Sequence, residues 1–453
     1  MKRTLQGAAQ ALGGQLTGKD GPYTAVSTDS RTLEQGALFV ALKGPNFDGA
    51  EFVAAAAARG AAGAVVERAV AHSLPQVLVP DALRALQTLG KTWRAGFSLD
   101  LVAVAGSNGK TTAKEMTAAI LSRRGPCLAT SGNLNNHIGV PLTLLRLEAT
   151  HHSAVIEMGA NRIGDVAQLM SLARPTVGLI TNAGAEHLQG FGDLDGVAKG
   201  EGETVSCLEG SATAVINADD VYAGYWRKVA SARRVLTFGV HADADCTAKN
   251  IIQAIERGEF ATRFTLTCPL GETLITLKAG GSHNIANALG AACAACAAGA
   301  SLENIASGLA DFRPVAGRLQ LKAGARGSWI IDDTYNANPS SVRAGLEVLR
   351  ALPGEAWLVL GDMAELGEHA QDSHAHMGAY ARDCGIKRLF AQGRESSRSV
   401  ETFGAGGEWF ADTDSLIRRL QAEVSPGVTI LVKGSRINRL ERVVQALTSS
   451  GEK

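Results

Sequence analysis

The strongest chemical signal in the chain is one short run, Gly106-Ser107-Asn108-Gly109-Lys110-Thr111-Thr112. It follows the apolar stretch 101–105 (LVAVA), and its two glycines let the backbone turn sharply. A helical pattern comes next, with Ala113, Met116 and Ile120 along one face. A strand–turn–helix corner of this kind aims backbone N–H groups and the positive end of the helix at whatever sits above the strand, which suits an anion. Lys110 adds a point charge for the β- and γ-phosphates of a nucleotide, and the Thr111 hydroxyl suits Mg²⁺. The general NTPase loop carries a glycine five positions before the glycine of Gly-Lys-Thr, where this chain has Val104. A plain α/β corner is the alternative, but such a corner requires neither the Gly-Lys-Thr-Thr run nor a lysine at the helix mouth. Glu157 ends the strand-like SAVIEM, and His187 follows the strand-like VGLITN within NAGAEHLQGF. Open α/β sheets bind ligands at the carboxyl ends of their strands. Taken singly, each residue could be a loop side chain satisfied by solvent. Together with Lys110 and Thr111 at a strand end of the same sheet they make a Mg²⁺–phosphate site, and a second divalent ion on Glu157 and His187 could neutralise an acyl phosphate.

Those positions require parallel sheets to carry them. At 453 residues the chain is too long for one core, and about three domains are expected. Residues 1–98 read as short α/β units, beginning with a short amphipathic helix. Residues 99–312 alternate strands (LVAVA, SAVIEM, VGLITN) with helical patterns such as DVAQLMSLA, which implies a doubly wound parallel sheet. Pro314 and Gly317 mark a linker, and residues 313–453 repeat the alternation with WIIDD, AWLVLGDM, RLFAQG and VTILVKGS as strands. The expected fold is therefore α/β throughout: a small first domain, a central phosphate-loop domain and a Rossmann-like third domain. Lys+Arg and Asp+Glu both number 44, so no global field favours nucleic acid or an anionic membrane, and an anionic substrate must be held locally. Apolar runs fall well short of the roughly 20 residues that span a bilayer, and the basic start lacks the apolar core of a signal peptide. Seven scattered cysteines suit a reducing cytoplasm. Cys293 and Cys296 form C-x-x-C within an Ala-rich run, read as small buried helix residues rather than a redox or zinc pair.

Ordered motifs then extend the reading across the whole chain: AGSNGKTTAKEM, TSGNLNNHIGVPLTLL, EMGANRIGDVAQL, GSHNIANALGA, DDTYNANPSSV, GDMAELGEHA and LVKGSR. This series resembles the Mur ligases, ATP-dependent amide-forming enzymes of peptidoglycan synthesis. YNANPSS and GDMAELGEHA favour the member that joins D-alanyl-D-alanine to a UDP-N-acetylmuramoyl-tripeptide, as a cytoplasmic monomer using ATP and Mg²⁺. The resemblance implies that ATP phosphorylates the peptide carboxylate and that the dipeptide amine attacks the acyl phosphate. It further implies that residues 106–112 hold the ATP phosphates, that Thr111, Glu157 and His187 serve the metal, and that His283, Asn287, Arg318, Asp333 and Asn336 contact the nucleotide. Lys433 would face the acyl phosphate. Asn133, Asn135 and Asn136 would lie near the sugar-peptide, although a turn-forming Asn cluster is the bland alternative. VSTDSRTLEQGALFVALKGPNFDGAEF resembles the UDP-binding domain, with Ser30, Arg31, Asn46 and Asp48 as contacts. One departure stands out. Many relatives carry a carbamylated lysine after the histidine, whereas GVAKGEGETV places Glu201 in that register. Glu201 could supply the carboxylate directly; the alternatives are a carbamylated Lys199, or two surface charges. Folylpolyglutamate synthase resembles the later two domains only, and a nucleotide switch that hydrolyses without ligating is the rival from another class.

Overall fold

The computed structural model describes residues 3–185, 187–230 and 234–448. Among them three principal sheets follow one another along the chain, built from strands within residues 15–78, 100–277 and 320–433. The first sheet has the order Gln15–Thr17, Gln76–Leu78, Gly63–Val66, Leu38–Val40, Val26–Ser27, parallel except at the first edge. The amphipathic N-terminal helix is Leu5–Leu12, with the Thr4 hydroxyl accepting from the Gly7 N–H.

In the second sheet Asp100–Ala105 is the middle one of three neighbouring strands, flanked by Ser153–Glu157 and Val177–Ile180. Both pairings are parallel, with Glu157 opposite Val104 and Ile180 opposite Ala105. Three strands therefore end side by side where the chain turns at Gly106. The central strand is apolar on both faces because both are covered. Val102 and Val104 pack beneath the helices Lys110–Leu121 and Ser282–Ala297, while Leu101, Ala103 and Ala105 pack against Asp165–Ala173 and Leu194–Ser206. Small residues let Ser282–Ala297 lie close, and Cys293 is fully buried there. A hydrogen bond with Cys246, together with burial, pushes the Cys293 thiol well up, burial pushes Cys296 to about 11, and all seven cysteines are free thiols.

This sheet is mixed rather than purely parallel. Beyond Thr213–Asn217 and Arg234–Gly239 it continues into Cys246–Glu256, Glu259–Cys268 and Gly271–Leu277, with the middle one of these three antiparallel to both its neighbours. Arg257 and Gly258, with φ of 52° and 79°, make the tight turn of the first hairpin, a conformation matched to strand twist.

The third sheet runs Gln320–Ala323, Trp329–Asp333, Val428–Lys433, Glu355–Gly361, Arg388–Gln392, Gly407–Phe410, parallel apart from its first strand. Asp333 pairs in register with Lys433, which puts both at one strand-end edge. No helix among the described residues is long and apolar enough to cross a membrane.

Candidate active site

A cleft of about 630 Å³ lies over the carboxyl ends of the second sheet, with the third sheet's strand ends as its opposite wall. Its floor is the turn at residues 106–109. Gly106 has φ 124°, and a side chain there would overlap the Thr181 hydroxyl. The loop's main chain is clamped from below. The Gly106 N–H donates to Glu201 Oε2 at 2.7 Å, Ser107 N–H to the Asn182 carbonyl at 2.9 Å, and Asn108 N–H to Asn182 Oδ1 at 3.0 Å. The Asn108 carbonyl accepts from Thr181 Oγ1 at 2.6 Å and Asn182 Nδ2 at 2.9 Å. Gly109, at φ 80°, caps the helix, and the first intrahelical bond runs from Ala113 N–H to its carbonyl at 2.8 Å. The N–H groups of the first helical turn, 110–112, therefore point toward the cleft. Lys110 Nζ lies across the loop on the Ser107 carbonyl at 2.9 Å.

Glu157 stands beside this floor, only 3% exposed. Its Oε1 accepts from Asn135 Nδ2 at 2.8 Å and its backbone N–H donates to Thr130 Oγ1 at 2.9 Å. Its Oε2 is buried with no hydrogen-bond partner among the described residues. A buried, unpartnered carboxylate oxygen is costly unless a cation meets it, so the donor set fits a divalent ion. Among the described residues no group of three or more His, Cys, Asp or Glu is gathered that could hold a metal unaided. Mg²⁺ binds through one or two carboxylates plus substrate phosphates, and Glu157 offers one such carboxylate. His187 also lines the cleft, and its Nδ1 pairs with Glu365 Oε2 of the third-sheet segment at 2.7 Å.

The opposite wall brings cations. Arg318 Nη2 donates to Thr111 Oγ1 at 3.2 Å, its guanidinium stacks 4.1 Å from the Tyr335 ring centre, and its buried Nε has no partner among the described residues. Lys433, 2% exposed, donates to Asp333 Oδ2 at 2.6 Å and to the Asn336 carbonyl at 3.0 Å, while Asp333 Oδ1 accepts from Leu319 N–H at 3.2 Å. His283 and Asn287 complete this end. Loss of solvent pushes His283 down to about 4; Asp333 opposes that shift and Lys433 adds to it.

The sequence matches the Mur ligase family over all three sheets: the Mur ligase family, catalytic domain over residues 22–94, the Mur ligase middle domain over 104–295, and the Mur ligase glutamate ligase domain over 317–436. It is 44% identical over 451 residues to the UDP-N-acetylmuramoyl-tripeptide–D-alanyl-D-alanine ligase of Escherichia coli K12, covering 99% of each chain. The chain belongs to the Mur ligase family. Its fold superposes on the crystal structure of MurF from Acinetobacter baumannii with a TM-score of 0.93 at 34% identity, covering 99% of each chain. The MurF ligase of Thermotoga maritima in complex with ADP gives 0.84 at 27% identity, covering 94% of this chain and 97% of that one. Folylpolyglutamate synthase of Mycobacterium tuberculosis, at 16% identity and a TM-score of 0.64, shares the fold.

Within this Mur ligase cleft lie Ser107 through Thr112, Asn135, Asn136, Glu157, His187, His283, Asn287, Arg318, Asp333, Asn336 and Lys433. Other positions singled out from sequence are elsewhere. Gly106 and Glu201 sit beneath the loop, bonded to each other, and Glu201 is 3% exposed while Lys199 is on the exposed side of the same helix. Asn133 is exposed outside the cleft, its carbonyl accepting from Asn135 N–H at 2.8 Å. Asn136 lines the cleft but spends its Oδ1 on the N–H groups of Ile138 and Gly139, at 3.0 and 2.9 Å. Ser30, Arg31, Asn46 and Asp48 all belong to the first-sheet segment and none lines the cleft. Arg31 is exposed and paired with Asp29 at 2.8 Å; Asp48 caps Gly49–Phe52 and meets Arg68 at 3.0 Å. Asn182, Asn217, Tyr335, Asn338 and Ser340 line the cleft without having been singled out. Asn182 and Asn217 follow or end strands of the central sheet, so the strand-end rule that selects Glu157 was available for them too.

Proposed function

We propose that this chain is the ATP-dependent ligase that joins D-alanyl-D-alanine to UDP-N-acetylmuramoyl-tripeptide in peptidoglycan precursor synthesis, releasing ADP and phosphate. The full-length likeness to ligases of that name supports the substrates. The observation that carries the chemistry is the cleft itself: a phosphate-loop floor and an unpartnered carboxylate oxygen on Glu157 face a cationic wall from another sheet. In this reading the three sheets act as domains over residues 1–98, 99–312 and 313–453, working in the cytoplasm as a monomer. The free thiols and the nucleotide-linked substrates favour that compartment.

A peptide carboxylate is a poor electrophile, and converting it to an acyl phosphate supplies a good leaving group. A carboxylate oxygen attacks the γ-phosphorus, the bond to the β,γ-bridging oxygen breaks, and ADP departs. The amine of D-Ala-D-Ala attacks the acyl carbon, the C–O bond to phosphate breaks from the tetrahedral intermediate, and the amine loses its proton. The enzyme's task is to align the groups and to screen charge. The N–H groups of 110–112 and the Lys110 ammonium hold the phosphates. Thr111 and Glu157, with His187 nearby, would hold Mg²⁺, which supplies neutralising charge at the phosphate oxygens when bound. Arg318, Asp333 and Asn336 fix the nucleotide from the third sheet, with His283 and Asn287 beside them. The buried Lys433, oriented by Asp333, presents positive charge to the acyl phosphate. Asn135 orients Glu157. Ser30, Arg31, Asn46 and Asp48 would carry the UDP end on the first domain.

The test is ADP release measured with each substrate omitted in turn. Release should require UDP-N-acetylmuramoyl-tripeptide and D-Ala-D-Ala together. Steady hydrolysis without either would identify a nucleotide switch instead, and activity with single amino acids but not the dipeptide would identify a different Mur ligase.

A further inference from the structure

The mechanism above leaves one set of contacts unused. Asn108 belongs to the phosphate loop, but its side chain turns away from the loop toward the third sheet. Asn108 Oδ1 accepts from Asn338 Nδ2 at 2.9 Å, and Asn108 Nδ2 donates to Ser340 Oγ at 2.9 Å. Ser340 Oγ in turn donates to Asn338 Oδ1 at 2.9 Å. Three side chains from two segments more than 200 residues apart close a ring of three hydrogen bonds, each running from a donor to an acceptor.

The direction of that ring is fixed. Asn338 is the N-cap of the helix Pro339–Arg350, and its Oδ1 accepts from Ser341 N–H at 2.8 Å, so its oxygen must face the helix. Its Nδ2 therefore faces Asn108, which in turn must present oxygen to Asn338 and nitrogen to Ser340. Flipping any one amide would place like groups together. The main chain of Asn108 is meanwhile held from below by Thr181 and Asn182. Gly184 packs against the ring, where an added Cβ would lie 3.0 Å from both Asn108 Nδ2 and Ser340 Oγ.

We propose that Asn108 is a positioning residue, a clasp that fastens the phosphate loop to the capped end of the third domain's first helix, and that its side chain is not a nucleotide ligand. Both partners of its amide lie on the third domain, so forming the clasp makes loop geometry and domain closure one event. This rests on the reading of the cleft as an ATP site. It extends that reading to how the third domain senses an ordered loop.

The experiment is a double-mutant cycle on the full chain with Asn108→Ala, Ser340→Ala and the pair, with Ser340→Thr as the conservative control. Closure is followed by X-ray scattering with and without a non-hydrolysable ATP analogue and Mg²⁺, and ADP affinity by titration. Ser340→Ala removes one bond between the segments and should lower the closed-to-open ratio about fivefold, the scale of one net hydrogen bond, whereas Asn108→Ala removes both and should lower it roughly twenty-five-fold. The double variant should be no worse than Asn108→Ala alone, because Asn108→Ala already removes both bonds between the two segments. Ser340→Thr should stay near wild type. Gly184→Ala, which removes no hydrogen-bonding group, should shift closure the same way. Additive effects would overturn the clasp. So would loss of ADP affinity in Asn108→Ala with Ser340→Ala unchanged, which would make Asn108 a phosphate ligand. None of these measurements uses the UDP-linked tripeptide or the dipeptide, so a wild-type chain that fails the ADP-release test sinks the proposed reaction and leaves the clasp to be judged separately.

Discussion

The sharpest test of how the phosphate loop is built concerns Glu201. Its carboxylate accepts the Gly106 N–H at 2.7 Å, and both residues are buried. A hydrogen bond to a charged group contributes roughly 1.5–3 kcal/mol, and a buried N–H left without an acceptor costs about 1–3 kcal/mol. Glu201→Ala should therefore weaken any equilibrium that needs the loop in this shape by about 2 kcal/mol, roughly thirtyfold in ADP affinity. Glu201→Gln keeps one acceptor oxygen and should lose less. Lys199→Ala removes an exposed charge two residues away on the same helix and should stay within about 0.5 kcal/mol of wild type. The assay is a calorimetric ADP titration of the three variants, repeated with added bicarbonate. If Lys199→Ala were the damaging change and bicarbonate restored it, a carbamylated lysine would be at work and the loop-support reasoning would fail. Unchanged ADP affinity in Glu201→Ala would refute it equally.

Other consequences can be measured independently. Gly109→Ala combines a φ of 80° with a Cβ that would overlap Asn287 Oδ1, so ATP and ADP binding should fall at least tenfold while the rest of the chain stays folded by circular dichroism. Lys433→Met leaves the partly buried Asp333 with, among the described residues, only the Leu319 N–H, which should destabilise the third domain by about 3 kcal/mol in urea. Lys433→Met with Asp333→Asn should recover part of that loss. His283 stays neutral in the fold down to about 4, whereas an unfolded chain protonates it near its ordinary 6.5. Its contribution is fully present above pH 6.5 and declines as the pH falls toward 4, by about 3 kcal/mol at most. His283→Gln should flatten that part of the stability profile, and an unaltered profile would rule this origin out. Glu157→Gln should raise the Mg²⁺ concentration needed for half-maximal ADP release by more than tenfold.

What could be read in advance follows a physical divide. The Gly-Lys-Thr-Thr corner was legible because its signature is local: a strand, two glycines and a helix mouth stand next to one another in the sequence. Glu157 was legible because a parallel sheet gathers its strand ends, and Glu157 ends its strand. The antiparallel arm of Cys246–Glu256, Glu259–Cys268 and Gly271–Leu277 carries no comparable mark, since its two outer strands are largely unburied and the arm lacks the continuous apolar runs of the parallel strands. The partners of Asn108 could not be read at all, because no periodicity connects positions 108 and 340; only closure of one sheet on another puts them 2.9 Å apart. Glu201 falls between these cases. Along Leu194–Ser206, Val197, Glu201 and Val205 recur every four residues and are all buried, while Lys199 is rotated about 200° from Val197 and is exposed. Helical spacing alone therefore chooses Glu201 over Lys199 as the inward charge. It does not say what that charge meets, and here the carboxylate meets a backbone N–H under the loop. A buried acid in this register can serve the phosphate site by fixing the peptide that binds it, so searches for replacements of a modified lysine should weigh support of the loop alongside a place on the metal.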